Sequence, residues 1–324
     1  MCSCSKGTAG RNRQHHNRRM EKREKMLNIV AASRVSLTVS GTLVLVSILA
    51  IGLLGFRLGI DFQGGTLWQF RLGAAAPSQQ EVSEAIQNVL QQRNVYLNYS
   101  VTNHTFLVRL PVIGEEEHGK LVQALQQRFP SFTELSFQSI GPSVGAELRK
   151  KAILALVLVL VGISAYIAFA FRKASWPIQS WKYGIVTLVT LFHDVVVPAG
   201  FLAVGGRYFN LDLDSSFAVA LLVIMGFSVH DTIVVFDRIR ENLLLRKKNT
   251  SFREVINESV NQTLARSLNT SLTLLFVLVA LYFWGPATLQ LFILTLLIGT
   301  ILGTYSSIFV ASPLLLLISP RRVK

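Results

Sequence analysis

Apolar positions follow two rhythms along this chain. Six stretches are almost unbroken: 35–56, 152–171, 183–204, 215–236, 267–284 and 289–318. Most last about 18 to 22 residues, and at about 1.5 Å per residue such a helix crosses a hydrocarbon core of about 30 Å. The last is longer, with room to tilt or to leave the bilayer before its end. A polytopic α-helical membrane protein with six transmembrane helices is expected.

Between the first two runs the rhythm shortens. Segment 66–72 reads as a strand. Ser78 followed by Glu81 is a capping box, opening a helix with Val82, Ala85, Ile86, Val89 and Leu90 on one face. Segments 95–101 and 105–110 are strand-like around a turn at 102–104. A second amphipathic helix, 115–129, is stopped by Pro130, and 133–139 reads as a last strand. The order βαββαβ predicts a ferredoxin-like sandwich, an antiparallel four-stranded sheet backed by two helices. The fold class is thus a membrane bundle with an external α+β ferredoxin-like domain between helices 1 and 2. Such a domain hosts many functions and specifies none. The parts in order are a basic tail (1–34), helix 1 (35–56), the external domain (57–150), a five-helix membrane domain (151–318) and a short tail (319–324). Inside the membrane domain a polar loop covers 237–266, and 251–259 predicts a short separate helix near the membrane surface.

The chain has 324 residues and a formal net charge of +14. Such an excess suits nucleic acid, but its distribution argues otherwise. The tail carries Lys6, Arg11, Arg13, Arg18, Arg19, Lys22, Arg23, Lys25 and Arg34. Arg172, Lys173 and Lys182 follow the second run; Arg238, Arg240, Arg246, Lys247, Lys248 and Arg253 follow the fourth; Arg321, Arg322 and Lys324 follow the last. All these segments share one side in a six-span topology. On the other side, 206–214 has Arg207 against Asp212 and Asp214, and 285–288 has no charge. The positive-inside rule therefore places both termini in the cytoplasm and residues 57–150 outside. The basic residues serve topology and contact with membrane lipids, and no nucleic acid is expected. The first run is too long for a signal-peptide core and is expected to remain as an anchor. Residues 1–26 have the composition of a disordered segment. Cys2 and Cys4, beside His15 and His16, match no strong metal template and build no external disulfide framework. The chain lacks HExxH, GxSxG, P-loop and paired metal-ligand motifs, so it reads as no enzyme, without cofactor or metal.

Five ionisable residues interrupt or border the runs: His193 and Asp194 in the third, His230 and Asp231 in the fourth, and Arg266 at the start of the fifth. On the translocon scale an Asp at the centre of a span costs about 2.5 to 3.5 kcal/mol. Helices 4 and 5 form a hairpin, so Asp231 and Arg266 are expected to approach each other. An internal salt bridge fixing helix packing is one reading. A proton relay is the other: dehydration raises a carboxylate's proton affinity and a nearby guanidinium lowers it, so helix movement would change it. The histidines serve equally as hydrogen-bonding groups between helices. Asp237 and Glu241, beside Arg238 and Arg240, read as a solvated rim. Gly299 and Gly303 form a GxxxG pair that implies a closely packed partner helix.

The motifs together resemble the SecF family, the smaller subunits of the SecDF auxiliary complex of bacterial protein export, within the resistance-nodulation-division superfamily. The resemblance runs from about 35 to 318 and rests on GIDFQGG (59–65), IGPSVGAEL (140–148), HDVVVPAG (193–200), VHDTIVVFDRIREN (229–242), NQTLARSLNTSLTLL (261–275) and GTYSSIFVAS (303–312). Asp61, Phe62, Gly64 and Gly65 stand where the family carries its D-F-x-G-G signature. The resemblance implies pairing with SecD, cooperation with the SecYEG channel and the SecA motor, contact with unfolded preproteins and use of the proton-motive force. It also places the family's membrane carboxylate and arginine on Asp231 and Arg266. His230 departs from the Asn that members usually carry there, and the basic tail is unusual for the family. A bacterial plasma membrane location follows, and a cyanobacterial origin would admit the thylakoid. Half of a proton-coupled small-molecule exporter, or a passive scaffold of the translocon, are the alternatives. An exposed sheet edge at 66–72 or 95–101 would let the external domain add a strand from an unfolded client.

Overall fold

The computed structural model describes residues 28–73, 77–91, 95–100, 104–173, 178–245 and 251–319. Most of the basic tail with Cys2, Cys4, His15 and His16, the end of the chain, and most of the 102–104 turn lie outside the described residues. In chain order the elements are α1 (Ser33–Leu54), α2 (Ile60–Gln63), β1 (Gly65–Leu72), α3 (Gln79–Leu90), β2 (Tyr96–Ser100), β3 (Thr105–Leu110), α4 (Glu115–Arg128) and β4 (Phe132–Ile140). Then come α5 (Pro142–Ala170), α6 (Ser180–Tyr208), α7 (Ser215–Leu244), α8 (Phe252–Trp284), α9 (Gln290–Ser306) and α10 (Ser312–Leu317), with a π-helical turn, Ser307–Ala311, joining the last two. The chain divides into two compact units. One comprises Met1–Leu53, Leu158–Phe201 and Ala220–Lys324; the other comprises Leu54–Val157 and Leu202–Val219.

Among the described residues, six helices are long and apolar enough to cross a membrane: α1, α5, α6, α7, α8 and the continuous Gln290–Leu317. They overlie the six expected runs and extend several of them. The short surface helix expected at 251–259 is not separate; it is the first part of α8. Ser251 Oγ accepts from Glu254 N at 3.2 Å and Glu254 Oε2 accepts from Ser251 N at 3.2 Å, a capping box that starts the helix. No Gly or Pro interrupts the sequence from there to Trp284. Phe252, Val255, Ile256 and Val260 are buried, so this first part packs within its unit rather than lying apart.

Helix approach in the first unit depends on small residues. A Cβ on Gly299 would overlap Ile224 of α7, and one on Gly303 would lie 3.0 Å from Ser228 Cβ. The GxxxG pair of α9 therefore packs on α7. Gly200 of α6 similarly abuts Ser47 of α1.

The second unit contains the sheet, in the order β2-β3-β1-β4 and antiparallel throughout, with Thr66 opposite Leu110 and Gly65 opposite Ile140. Alternation sends Trp68, Phe70 and Leu72 of β1 and Phe106, Val108 and Leu110 of β3 to one core, where they meet Val82 and Ile86 of α3 and Leu121 and Leu125 of α4. Ser78 Oγ accepts from Glu81 N at 3.2 Å, the serine half of the expected box. This is the expected ferredoxin-like arrangement, with one correction. β1 lies between β3 and β4, so its backbone is paired on both sides and it offers no edge; β2 and β4 are the edges.

Candidate functional site

The signature glycines lie where α2 turns into β1. Gly64 has φ +81° and Gly65 φ +129°, conformations that side chains disfavour. A Cβ on Gly64 would sit 2.8 Å from the Pro142 backbone, and one on Gly145 would sit 2.8 Å from Gly64 N. The start of α5 thus packs backbone to backbone on this turn. Phe62 is buried beside it. Asp61 Oδ2 accepts from Ser215 N at 2.8 Å and from Ser215 Oγ at 2.5 Å, capping the first residue of α7. Asp212 of the preceding loop forms ion pairs with Arg57, at 2.7 Å, and with Arg109 of β3. Burial, then the nearby Arg57, push Arg109 down to about 10. The signature residues are therefore a joint, holding the start of α5, the start of α7 and β1 together.

The first unit contains the buried carboxylates. Asp194 on α6 is fully buried. Its Oδ1 lies 2.8 Å from His193 Nδ1, while Oδ2 accepts from Ser228 Oγ of α7 at 2.5 Å and from Ser306 Oγ of α9 at 2.7 Å. His193 is also buried, and its Nε2 has no protein partner among the described residues. Tyr305, whose ring centre is 6.4 Å from that imidazole, donates to Ser36 O of α1 at 3.2 Å.

Asp231 lies on α7, in the turn after Ser228, and is 2% exposed. The Ser271 hydroxyl of α8 interacts with its carboxylate and lies 2.5 Å from Thr304 Oγ1 of α9. Asp231 Oδ2 is buried with no protein partner among the described residues. His230, the residue before it and about 100° around α7, is exposed.

Arg266 does not pair with Asp231. The buried stripe of α8 runs through Ser259, Thr263, Ser267 and Ser271 at four-residue intervals. Arg266 stands one residue off that stripe, about 100° around the helix, and is exposed. The hairpin brings the two residues to one end of the unit, but helix phase turns them to different faces. Arg266 instead lines a cavity of about 620 Å³ with Phe171, Val234, Arg238, Glu241 and Gln262. The neighbouring charges pair along α7, Arg238 with Glu241 at 2.5 Å and Arg240 with Asp237 at 3.7 Å, as a charged rim should. Among the described residues no group of three or more His, Cys, Asp or Glu is placed to hold a metal ion.

The structure adds the hydroxyls of Ser228, Ser271, Thr304 and Ser306, and the Arg57–Asp212–Arg109 cluster, to the candidates read from sequence. The one sequence signal for the hydroxyls is their four-residue spacing, as in Ser267 and Ser271 or Ser228 and Thr232.

Fold and site define a class: a multi-pass membrane protein with a ferredoxin-like α+β domain after its first span and buried carboxylates among the later ones. A family model described as protein export membrane protein SecD/SecF, C-terminal, matches residues 120–321, and the SecD/SecF GG motif matches residues 49–76. A protein translocase subunit SecF from Thermobaculum terrenum is 48% identical over 273 residues, covering 81% of this chain and 84% of that one. The Helicobacter pylori subunit of that name is 36% identical over 304 residues, covering 92% and 88%. The crystal structure of SecDF, a translocon-associated membrane protein from Thermus thermophilus, superposes with a TM-score of 0.76 at 31% identity over 90% of this chain. The chain spans 38% of the length of that SecDF chain. It belongs to the SecD/SecF family of protein export membrane proteins.

Proposed function

We propose that this chain is a subunit of the bacterial Sec export apparatus. With a SecD partner it uses the proton-motive force to promote preprotein movement through SecYEG after the SecA-driven step. Asp231 is the proton-binding group. The observation that carries this reading is its environment: a buried carboxylate in a membrane helix, with one oxygen free of any protein partner among the described residues. Intramembrane carboxylates are costly and are kept where they bind ions or protons. The salt-bridge reading that would make the chain a passive scaffold needs Asp231 against Arg266, and Arg266 is exposed on another face. Arg266 acts in a second conformation, in which α8 turns it toward Asp231 and expels the proton. One proton crossing 100 mV supplies about 2.3 kcal/mol, enough to bias a two-state equilibrium by roughly fiftyfold. Both termini face the cytoplasm, and the ferredoxin-like domain is outside, where it holds the emerging preprotein.

The test is export into inverted membrane vesicles with and without a proton gradient, at equal abundance of the complex. Asp231→Asn keeps size and hydrogen bonding but cannot titrate. It should abolish stimulation by the gradient and leave export driven by SecA. Wild-type stimulation in this variant would rule out Asp231 as the carrier.

A further inference from the structure

The second buried carboxylate has a different task. Asp194 has no free oxygen. Its Oδ2 takes hydrogens from Ser228 on α7 and Ser306 on α9, and a proton lies on the axis between its Oδ1 and His193 Nδ1, whichever atom holds it. A further proton would fall on His193 Nε2, which is buried with no protein acceptor among the described residues. Such a donor is costly to bury unpaired. The cluster is thus poorly made to load and unload protons and well made to hold three helices.

What it holds is the surroundings of Asp231. Ser228 precedes Asp231 on α7, and the Thr232 hydroxyl donates to Ser228 O at 3.1 Å, so one turn links the two carboxylates. Ser306 follows closely after Thr304 on α9, and Thr304 Oγ1 is 2.5 Å from the Ser271 hydroxyl that meets Asp231. Gly303 brings α9 close enough to Ser228 for both serines to reach one oxygen. α9 then passes directly into the π-helical turn at Ser307, where a helix gains an extra residue per turn and its phase changes. Ser306 is the last residue before that change. We propose that Asp194 is a positioning residue: it fixes α7 and α9 against α6 in the register that presents Asp231 to Ser271. In its export arm this inference rests on the proton reading above; in its structural arm it does not.

The test uses the full complex with Cys2 and Cys4 replaced by serine and a single reporter, Asp231→Cys, exposed to a membrane-permeant maleimide. The native site is shielded, so labelling should be slow. Asp194→Ala should raise the labelling rate by about tenfold, the scale of one buried hydrogen-bonding group left unsatisfied. Ser306→Ala should raise it by a few-fold, and serves where Asp194→Ala lowers the yield of complex. Asp194→Asn should raise it by less than Asp194→Ala: its amide oxygen still accepts from both serines, while its NH2 turns His193 to the tautomer whose Nε2–H is left unpaired. Unchanged labelling in both Asp194→Ala and Ser306→Ala would overturn the positioning role. In parallel, with Asp231 intact, Asp194→Asn should keep gradient-stimulated export. Loss of that stimulation, with shielding unchanged, would make Asp194 a carrier and overturn the inference. Absence of gradient stimulation in the wild type would sink the proton reading alone and leave labelling to decide the positioning role.

Discussion

The chain writes His-Asp twice on neighbouring helices, and the two pairs end in opposite states. At His193–Asp194 both side chains are buried and bonded to each other, and two serines complete the carboxylate. At His230–Asp231 only the carboxylate is buried; the imidazole is exposed, and one carboxylate oxygen has no protein partner among the described residues. The same dipeptide therefore does not set the chemistry. Neighbours set it: α6 runs with both residues of its pair turned inward, against α7 and α9, whereas α7 turns only Asp231 inward, toward the hydroxyl stripe of α8. A satisfied buried carboxylate stabilises packing, and an incompletely satisfied one is open to a change of protonation.

The comparison is broken most severely at its open member. Asp231→Asn should remove all gradient-dependent export while leaving the complex assembled, as measured by co-purification with the partner. Next in size, Asp194→Ala leaves two serine hydroxyls and an imidazole without their shared acceptor. It should lower stability by about 3 to 5 kcal/mol, the range for removing one partner of a buried pair, read as a lower unfolding midpoint of the detergent-solubilised complex. Asp194→Asn should recover only part of that loss, because it restores the acceptor for both serines but leaves His193 Nε2–H unpaired. Enlarging Gly299 to Val drives a side chain into Ile224 and should cost about 1 to 3 kcal/mol by separating α7 from α9. Asp61→Ala removes the acceptor of Ser215 N and Oγ, while Asp214 still caps α7 through Phe217 N, and should cost about 1 kcal/mol on the same measurement. The smallest effect belongs to His230→Asn. The imidazole is exposed, so gradient-stimulated export should change by less than about twofold.

Much of this architecture is legible in the sequence, because run length and alternation depend on local spacing alone. The six spans and the βαββαβ order rest on such patterns, and the runs that break the pattern bring His193, Asp194, His230 and Asp231 into view. What sequence left out depends on phase and on long-range contact. Asp231 and Arg266 share one end of a hairpin, but only the observed burial of α8 shows that Ser267 and Ser271, not Arg266, face inward. The serines and threonines of spans commonly bond their own helix at the preceding turn, as Thr187 does with Tyr183 O at 2.9 Å. Nothing local distinguishes those from Ser228 and Ser306, which bond across helices. Asp61 reads as a signature residue, but its partner Ser215 lies far along the chain. The segment 251–259 reads as a separate short helix, but the backbone meets no Gly or Pro there and continues to Trp284.

The central claim is that Asp231 carries the proton and Asp194 positions the helices around it. An infrared titration of the purified complex reads this directly, through the carbonyl band of protonated carboxylic acid. A buried band that appears and disappears with pH should persist in Asp194→Asn and be absent in Asp231→Asn. A band lost in Asp194→Asn and retained in Asp231→Asn would reverse the assignment and contradict the account.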